Sequence, residues 1–244
     1  LRQRLKFRLL ESLSMKLTHA LIFAAGRGER MLPLTTDTPK PLLSVGGKPL
    51  IVWHLEKIAR LGISHVVINT SYLAEQFPKM LGDGSRWGVA IHYCYEGSEP
   101  LETGGGMLNA LPFLSETPFL CVNGDIWTEM DFCNLCIDTE SLAHLIMVDN
   151  PPHNSRGDFV LREGKLWDEP SPRLTFSGMG IYRPALLSPC SPAKFSLAPL
   201  LRAAMREGKV SGQHYRGAWH DVGTPERLIA LDSELKTRLQ LSDF

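Results

Sequence analysis

The sequence predicts an α/β protein with a mixed, mostly parallel central sheet flanked by helices. Three observations carry that expectation. Apolar runs without polar alternation recur in the first half, as strands covered on both faces require. Helical segments stand between them, the pattern of βαβ units with right-handed crossovers. A glycine-rich stretch, "FAAGRGERMLPLTTDTPKPLLSVGGKPL" (23–50), follows the first apolar run, and such a turn after a strand usually cradles phosphate.

Taken in order, "ALIFAA" (20–25) reads as a buried strand and 26–48 as a long loop, of a length that is usually functional in a compact domain. "PLIVWHLEKIARLG" (49–62) is a helix with Ile51, Leu55 and Ile58 on one face and Gly62 closing it. "HVVINT" (65–70) is the next strand, followed by a short helix disturbed by Pro78. "GDGSRWG" (82–88) is a turn, "VAIHYCY" (89–95) a strand and "TGGGMLNAL" (103–111) a glycine-led helix start. "FLCVNGD" (119–125) is a buried strand that ends on an aspartate. The second half changes character. "AHLIMVDN" (143–150), "DFVL" (158–161) and "LTFSGMGIY" (174–182) are strands with few helices between them, and helices follow at 197–208 and 226–239.

Bulk properties narrow the function. The 244 residues suit one large α/β domain. A formal net charge of zero argues against nucleic acid as a partner. No apolar run reaches the roughly 18 residues of a membrane span. Five cysteines, an odd number in a chain this large, do not suggest a disulfide scaffold. Cys133 and Cys136 form a C-x-x-C with no second pair at zinc-finger spacing, so the thiols read as free in a reducing cytoplasm. Residues 1–14, "LRQRLKFRLLESLS", are basic and amphipathic but lack the apolar centre and cleavage site of a secretory signal. They read as a disordered or non-native extension, with Met15 opening a single domain over 15–244.

Three readings compete for the glycine loop. A G-x-G-x-x-G dinucleotide turn fails at its third place, Met31, and Pro33 interrupts any helix. A P-loop needs a terminal Gly-Lys-Ser/Thr, which is absent. A simple bend explains Gly26 and Gly28 but leaves Arg30 and Lys40 unexplained. The residues Ala24, Ala25, Gly26, Gly28 and Arg30, then Pro39, Lys40 and Pro41, resemble the A-A-G-x-G-x-R and P-K-P signature of sugar-1-phosphate nucleotidyltransferases. The likeness runs over nearly all of 17–240. It implies a Rossmann-like nucleotidyltransferase fold. Within that family, "ETGGG", "VNGD", "RGDF", "FSG" and "WHDVGT" are similar to the branch that acts on N-acetylmuramate 1-phosphate with UTP in cell-wall sugar recycling.

The chemistry of such a transfer accords with these residues. Two anions must be brought together and a pyrophosphate stabilised as it leaves. Backbone N–H groups at Ala25, Gly26 and Gly28 can approach phosphate closely. Arg30 offers a fork to the β- and γ-phosphates and Lys40 a compact charge between the two reacting phosphates. The second phosphate pKa near 6 leaves the nucleophile ionised at pH 7, so no general base is needed. Asp125 in "VNGD" and Asp221 in "WHDVGT" are candidate Mg²⁺ ligands, since magnesium takes one or two carboxylates plus substrate phosphates. Helix caps are their bland alternatives. His220 would point away from the face that carries Asp221.

The resemblance also implies that Gly104 and Gly105 contact the nucleobase, that Asn123 joins the nucleotide site, and that Asn150, Glu169 and Gly178 lie with Asp125 and Asp221 in the sugar site. Gln76 is a candidate base or loop contact, with an exposed helix glutamine as its bland alternative. Arg156, in "HNSRGDF", is the candidate cation for the lactyl carboxylate of a muramyl sugar, with Gly157 opening the backbone beside it. One departure stands out. Many members carry Glu-Lys-Pro where this chain has "DEPSP" (168–172), which leaves more of the sugar phosphate to Lys40 and the metal. Another sugar 1-phosphate (glucose, mannose or N-acetylglucosamine) with UTP, dTTP or GTP, and a non-catalytic sugar-nucleotide sensor, remain as alternatives. The expected partners are UTP and a sugar 1-phosphate, with no nucleic acid, membrane or obligatory protein.

Overall fold

The computed structural model describes residues 17–170 and 172–242. The readings on residues 1–14 and Met15 lie outside these. Strand β1 (His19–Phe23) leads through the glycine loop to a small hairpin, β2 (Ser44–Val45) and β3 (Lys48–Pro49). Then come α1 (Leu50–Arg60), β4 (His65–Thr70), α2 (Gln76–Leu81), β5 (Ala90–Tyr95), α3 (Glu102–Ala110), β6 (Phe119–Asn123) and β7 (Ile126–Thr128). The second half holds β8 (Ala143–Val148), β9 (Val160–Arg162), β10 (Lys165–Trp167), β11 (Thr175–Tyr182), α4 (Ala198–Arg206), β12 (Val210–His214), β13 (Trp219–Asp221) and α5 (Pro225–Ser242).

Nine strands form one sheet in the order β5-β4-β1-β6-β11-β8-β12-β10-β9. The strands β5, β4, β1 and β6 are mutually parallel, and only β11 and β10 run against the other seven. The mixed, mostly parallel sheet is therefore as expected. Its continuous apolar strands follow from burial on both faces. Ala20 and Ile22 of β1 enter the core beneath α1, and Leu21 enters the core on the α3 and α4 side. A third cluster joins Met31, Val45 and Leu50 to Val222, Leu231 and Leu235, tying α5 to the loop and hairpin.

Local chemistry sets the element ends. Ile51, Leu55 and Ile58 are fully or almost fully buried on α1, and Gly62 follows it at a φ of 73°. Pro78 is tolerated in α2 because it lies in the first turn, where its missing N–H breaks no helical bond. Two short strands of the main sheet, β10 and β12, and β7 of the separate β7–β13 pair were not legible as strands. "VSGQH" of β12 illustrates why, since Ser211 and Gly212 lie at buried positions but carry little apolar signal. Asp125 precedes β7 and caps no helix, which removes its bland alternative.

Candidate active site

A cleft of about 940 Å³ opens at the C-terminal ends of the four parallel strands. The glycine loop from Ala24 to Met31 forms one wall, with Lys40 and Pro41 beneath it. Asn69, Glu96, Asn123 and Asp125 come from the strand ends, with Glu99, Pro100, Glu102, Thr103, Lys194 and Gly223 around them. This is where open α/β sheets place their ligands. A Cβ on Gly26 would meet nothing within 4 Å, so its backbone faces open space. Gly28 takes a left-handed φ of 66°, with Thr35 Cγ2 and Lys40 Cβ against it.

The loop is held by side chains behind it. Thr35 Oγ1 donates to the Gly28 carbonyl at 2.9 Å, and Tyr72 Oη donates to the Thr36 carbonyl at 2.8 Å. Gln76 Nε2 donates to the Asp37 carbonyl at 2.7 Å and does not line the cleft. It thus braces the loop, one of its two expected roles. Asn69 accepts from the Ala24 N–H at 2.7 Å and donates to Glu96 Oε1 at 2.5 Å. Glu96 Oε2 in turn accepts from the Leu101 N–H at 2.8 Å. Burial raises the Glu96 pKa, partly offset by these two hydrogen bonds.

Lys40 and Asp125 meet at the centre. Lys40 is only 7% exposed, and its Nζ donates to Asp125 Oδ2 at 2.6 Å. A buried ammonium requires such a partner. Gly124 brings Asp125 against β1, for its N–H donates to the Phe23 carbonyl at 2.8 Å. Arg30 is exposed along the same cleft, with no ion pair among the described residues.

The second aspartate arrives by strand pairing. Asp221 on β13 lies opposite Ile126 on β7, and the Val222 N–H donates to the Asp125 carbonyl at 3.0 Å. Asp221 Oδ2 accepts from Arg227 Nη1 at 2.7 Å and stands 3.0 Å from His153 Nε2. The strand turns His220 the other way, toward Trp127 and Glu234, as alternation predicts. Each aspartate has an Oδ1 without a hydrogen bond among the described residues. No group of three or more His, Cys, Asp or Glu able to hold a metal occurs among those residues. Two carboxylates whose remaining positions fall to phosphate and water fit magnesium, although Asp221 does not itself line the cleft.

The expected sugar set divides. Gly178, at a φ of 81°, makes room for Asn123, since a Cβ there would stand 2.7 Å from Asn123 Nδ2. Asn123 lines the cleft. Gly178 itself, Asn150, Glu169 and Arg156 all lie off it. Asn150 staples the chain, accepting from Thr175 Oγ1 at 2.8 Å and donating to the Arg173 carbonyl at 2.9 Å. Glu169 is taken up by Arg162, whose Nη2 reaches both carboxylate oxygens. Arg156 is exposed outside the cleft, and the space beside Gly157 is filled by the Arg173 backbone and Asn150.

The glycine run also differs from expectation. The N–H groups of Gly104 and Gly105 both donate to the Phe195 carbonyl at 3.0 Å. A Cβ at Gly104 would collide with the Phe195 ring, and one at Gly105 with the Ala193 carbonyl. The 193–195 segment packs against Gly104 and Gly105, while Glu96 and Asn69 fill the space beside Gly106. That docking carries Lys194 into the cleft. Neither Lys194, in the featureless "SPAKFS", nor Glu96 had a sequence signal. Asn69 had one, a polar residue near the end of an apolar strand.

A parallel sheet with a glycine loop, a buried lysine and a strand-end aspartate around one cleft defines an α/β protein built to handle phosphate esters. The chain belongs to the nucleotidyl transferase family, whose model matches residues 19–159. It is 50% identical over 218 residues to an N-acetylmuramate alpha-1-phosphate uridylyltransferase of Neisseria meningitidis, covering 86% of this chain and 94% of that one. The enzyme of the same name from Caulobacter vibrioides is 32% identical over 241 residues, covering 88% and 96%. Among solved structures, an inositol-1-phosphate CTP transferase from T. maritima superposes with a TM-score of 0.79 at 17% identity, covering 93% of this chain and 98% of that one, and shows the shared fold.

Proposed function

We propose that the protein transfers UMP from UTP to N-acetylmuramate 1-phosphate, releasing pyrophosphate and forming UDP-N-acetylmuramate. The observation that carries this reading is the 50% identity across nearly the whole of a relative bearing that name. The Lys40–Asp125 pair beside the open Gly26 backbone supplies the chemistry. We place the reaction in cytoplasmic recycling of cell-wall sugar, within one domain over 15–244. No helix among the described residues is long and apolar enough to cross a membrane.

In this reading Gly26 and Gly28 present N–H groups to the triphosphate. Arg30 grips the β- and γ-phosphates with its fork. Lys40 holds a positive charge where the sugar phosphate meets the α-phosphate and so lowers their repulsion. The sugar phosphate oxygen forms the new bond to the α-phosphorus as the bond to the β-phosphate oxygen breaks. Asn123 stands beside this point. Asp125 and Asp221 would hold Mg²⁺, which supplies charge neutralisation of the phosphates when bound. A panel of UTP, dTTP, GTP and CTP against muramyl, N-acetylglucosaminyl, glucosyl and mannosyl 1-phosphates, read by pyrophosphate release, tests the assignment. UTP with the muramyl sugar should give the highest kcat/KM, and a different best pair would replace the substrate. Release abolished by chelator and restored by Mg²⁺ checks the metal.

A further inference from the structure

Arg227 grips Asp221 twice. Its Nη1 donates to Asp221 Oδ2 at 2.7 Å and to the Asp221 carbonyl at 3.1 Å. His153 Nε2 stands 3.0 Å from the same Oδ2 and 3.2 Å from the same Nη1. The side chains of Arg227 and Asp221 are 29% and 21% exposed, so solvent and salt screen this pair less than a surface one. Asp221 lies outside the cleft lining, although Gly223, two residues on, belongs to it. Two further features accord with a built contact. Arg227 sits in the first turn of α5, where the helix dipole disfavours a cation. Gly223 leaves room for the guanidinium, since a Cβ there would stand 3.0 Å from Arg227 Nη2 and 3.1 Å from Asp221 Oδ1. Its backbone has no left-handed φ that would itself call for glycine. Lys40 holds Asp125 in the same manner, so each aspartate of the site has a cationic partner.

We infer that Arg227 is a positioning residue that occupies Asp221 in the empty protein and competes for it with a divalent cation, which rests on the reading of Asp221 as a metal carboxylate. A guanidinium and a divalent cation on one carboxylate oxygen repel each other at contact distance. Asp221 must therefore give up Arg227 before it can act as a ligand. A nucleotide that carries the cation brings phosphate oxygens suited to the freed guanidinium. The exchange is then favoured when nucleotide is present, and a bare ion finds the carboxylate taken.

The test titrates Mn²⁺, which takes the same oxygen ligands as Mg²⁺ and is visible by EPR, into nucleotide-free protein. Wild type should bind it weakly. Arg227→Met and Arg227→Gln, which remove the charge, should each tighten binding by roughly tenfold, the scale of one charged hydrogen bond. Asp221→Asn should change little in the wild-type background, because Arg227 already holds the carboxylate. In the Arg227→Met background it should remove the whole gain. An Arg227 that merely supported the fold would loosen Mn²⁺ when lost. Unchanged or weaker binding in the Arg227 variants, or a gain that survives Asp221→Asn, overturns the inference. The same titrations with UTP present test the metal reading by itself. Asp221→Asn should weaken Mn²⁺ binding there, and no effect would overturn both the metal role of Asp221 and the inference built on it. An Asp221→Asn effect with UTP but no gain in the Arg227 variants without it overturns the inference alone.

Discussion

At the residue scale the account turns on Lys40 and Asp125. Their ion pair places one buried cation and one carboxylate at the same point of the cleft. Lys40→Ala should lower kcat by about 10²–10³, the usual cost of losing one group aimed at developing charge, with a smaller change in KM. Arg30→Ala should act mainly on nucleotide KM, and steady-state kinetics separates the two. His54 offers an independent check. It is fully buried, and desolvation lowers its pKa to about 4, with the Ile126 carbonyl at 2.8 Å from Nε2 opposing that shift. Nδ1 has no hydrogen-bond partner among the described residues, as suits a neutral ring. The sign follows from linkage. The unfolded histidine takes up its proton near pH 6.5 while the folded one does not until about 4, so stability falls as pH drops through that window. Thermal melts from pH 7 to 4 should show His54→Gln losing less stability than wild type, by up to about 3 kcal/mol. Parallel curves would mean that His54 is not the group responsible.

At the scale of elements, the strands that sequence reading found are those buried on both faces. "HVVINT" and "FLCVN" announce themselves by composition alone. The β7 and β13 pair does not, because three-residue strands carry too short a pattern, yet it is what sets Asp221 beside Asp125. The site divides in the same way. Gly26, Arg30, Lys40 and Asp125 were legible because the glycine loop and a strand end fix them locally. Asn150 and Glu169 lie off the cleft because a polar side chain's partner is chosen by tertiary packing, here Thr175 and Arg162, while Gln76 makes the loop contact, one of its two expected roles. Gly178 gives the element-scale prediction. Gly178→Ala meets both a φ of 81° and the Asn123 side chain, so it should cost about 1–3 kcal/mol. It should also weaken activity beyond that loss by displacing Asn123, and denaturant melts beside kcat at low temperature would separate the two effects.

At the scale of the whole molecule, one nine-stranded sheet joins the two halves of the chain, and the separate β7–β13 pair carries Asp221. Strand β11 links them by pairing with β6 on one side and β8 on the other. The four parallel strands set the phosphate end of the cleft, and α5 anchors the hairpin through Asp232, which accepts from the Gly46 N–H at 2.9 Å. In the proposed reaction this assembly joins uridylate to a muramyl phosphate and prefers it over the sugar that lacks the lactyl group. A direct competition measures that. UTP, Mg²⁺ and equal amounts of N-acetylmuramate 1-phosphate and N-acetylglucosamine 1-phosphate are incubated with the protein, and mass spectrometry reads the two UDP-sugars at low conversion. The account predicts UDP-N-acetylmuramate in large excess, with one pyrophosphate released per product. Equal amounts of both products, an excess of the N-acetylglucosamine product, or no UDP-sugar at all would contradict it.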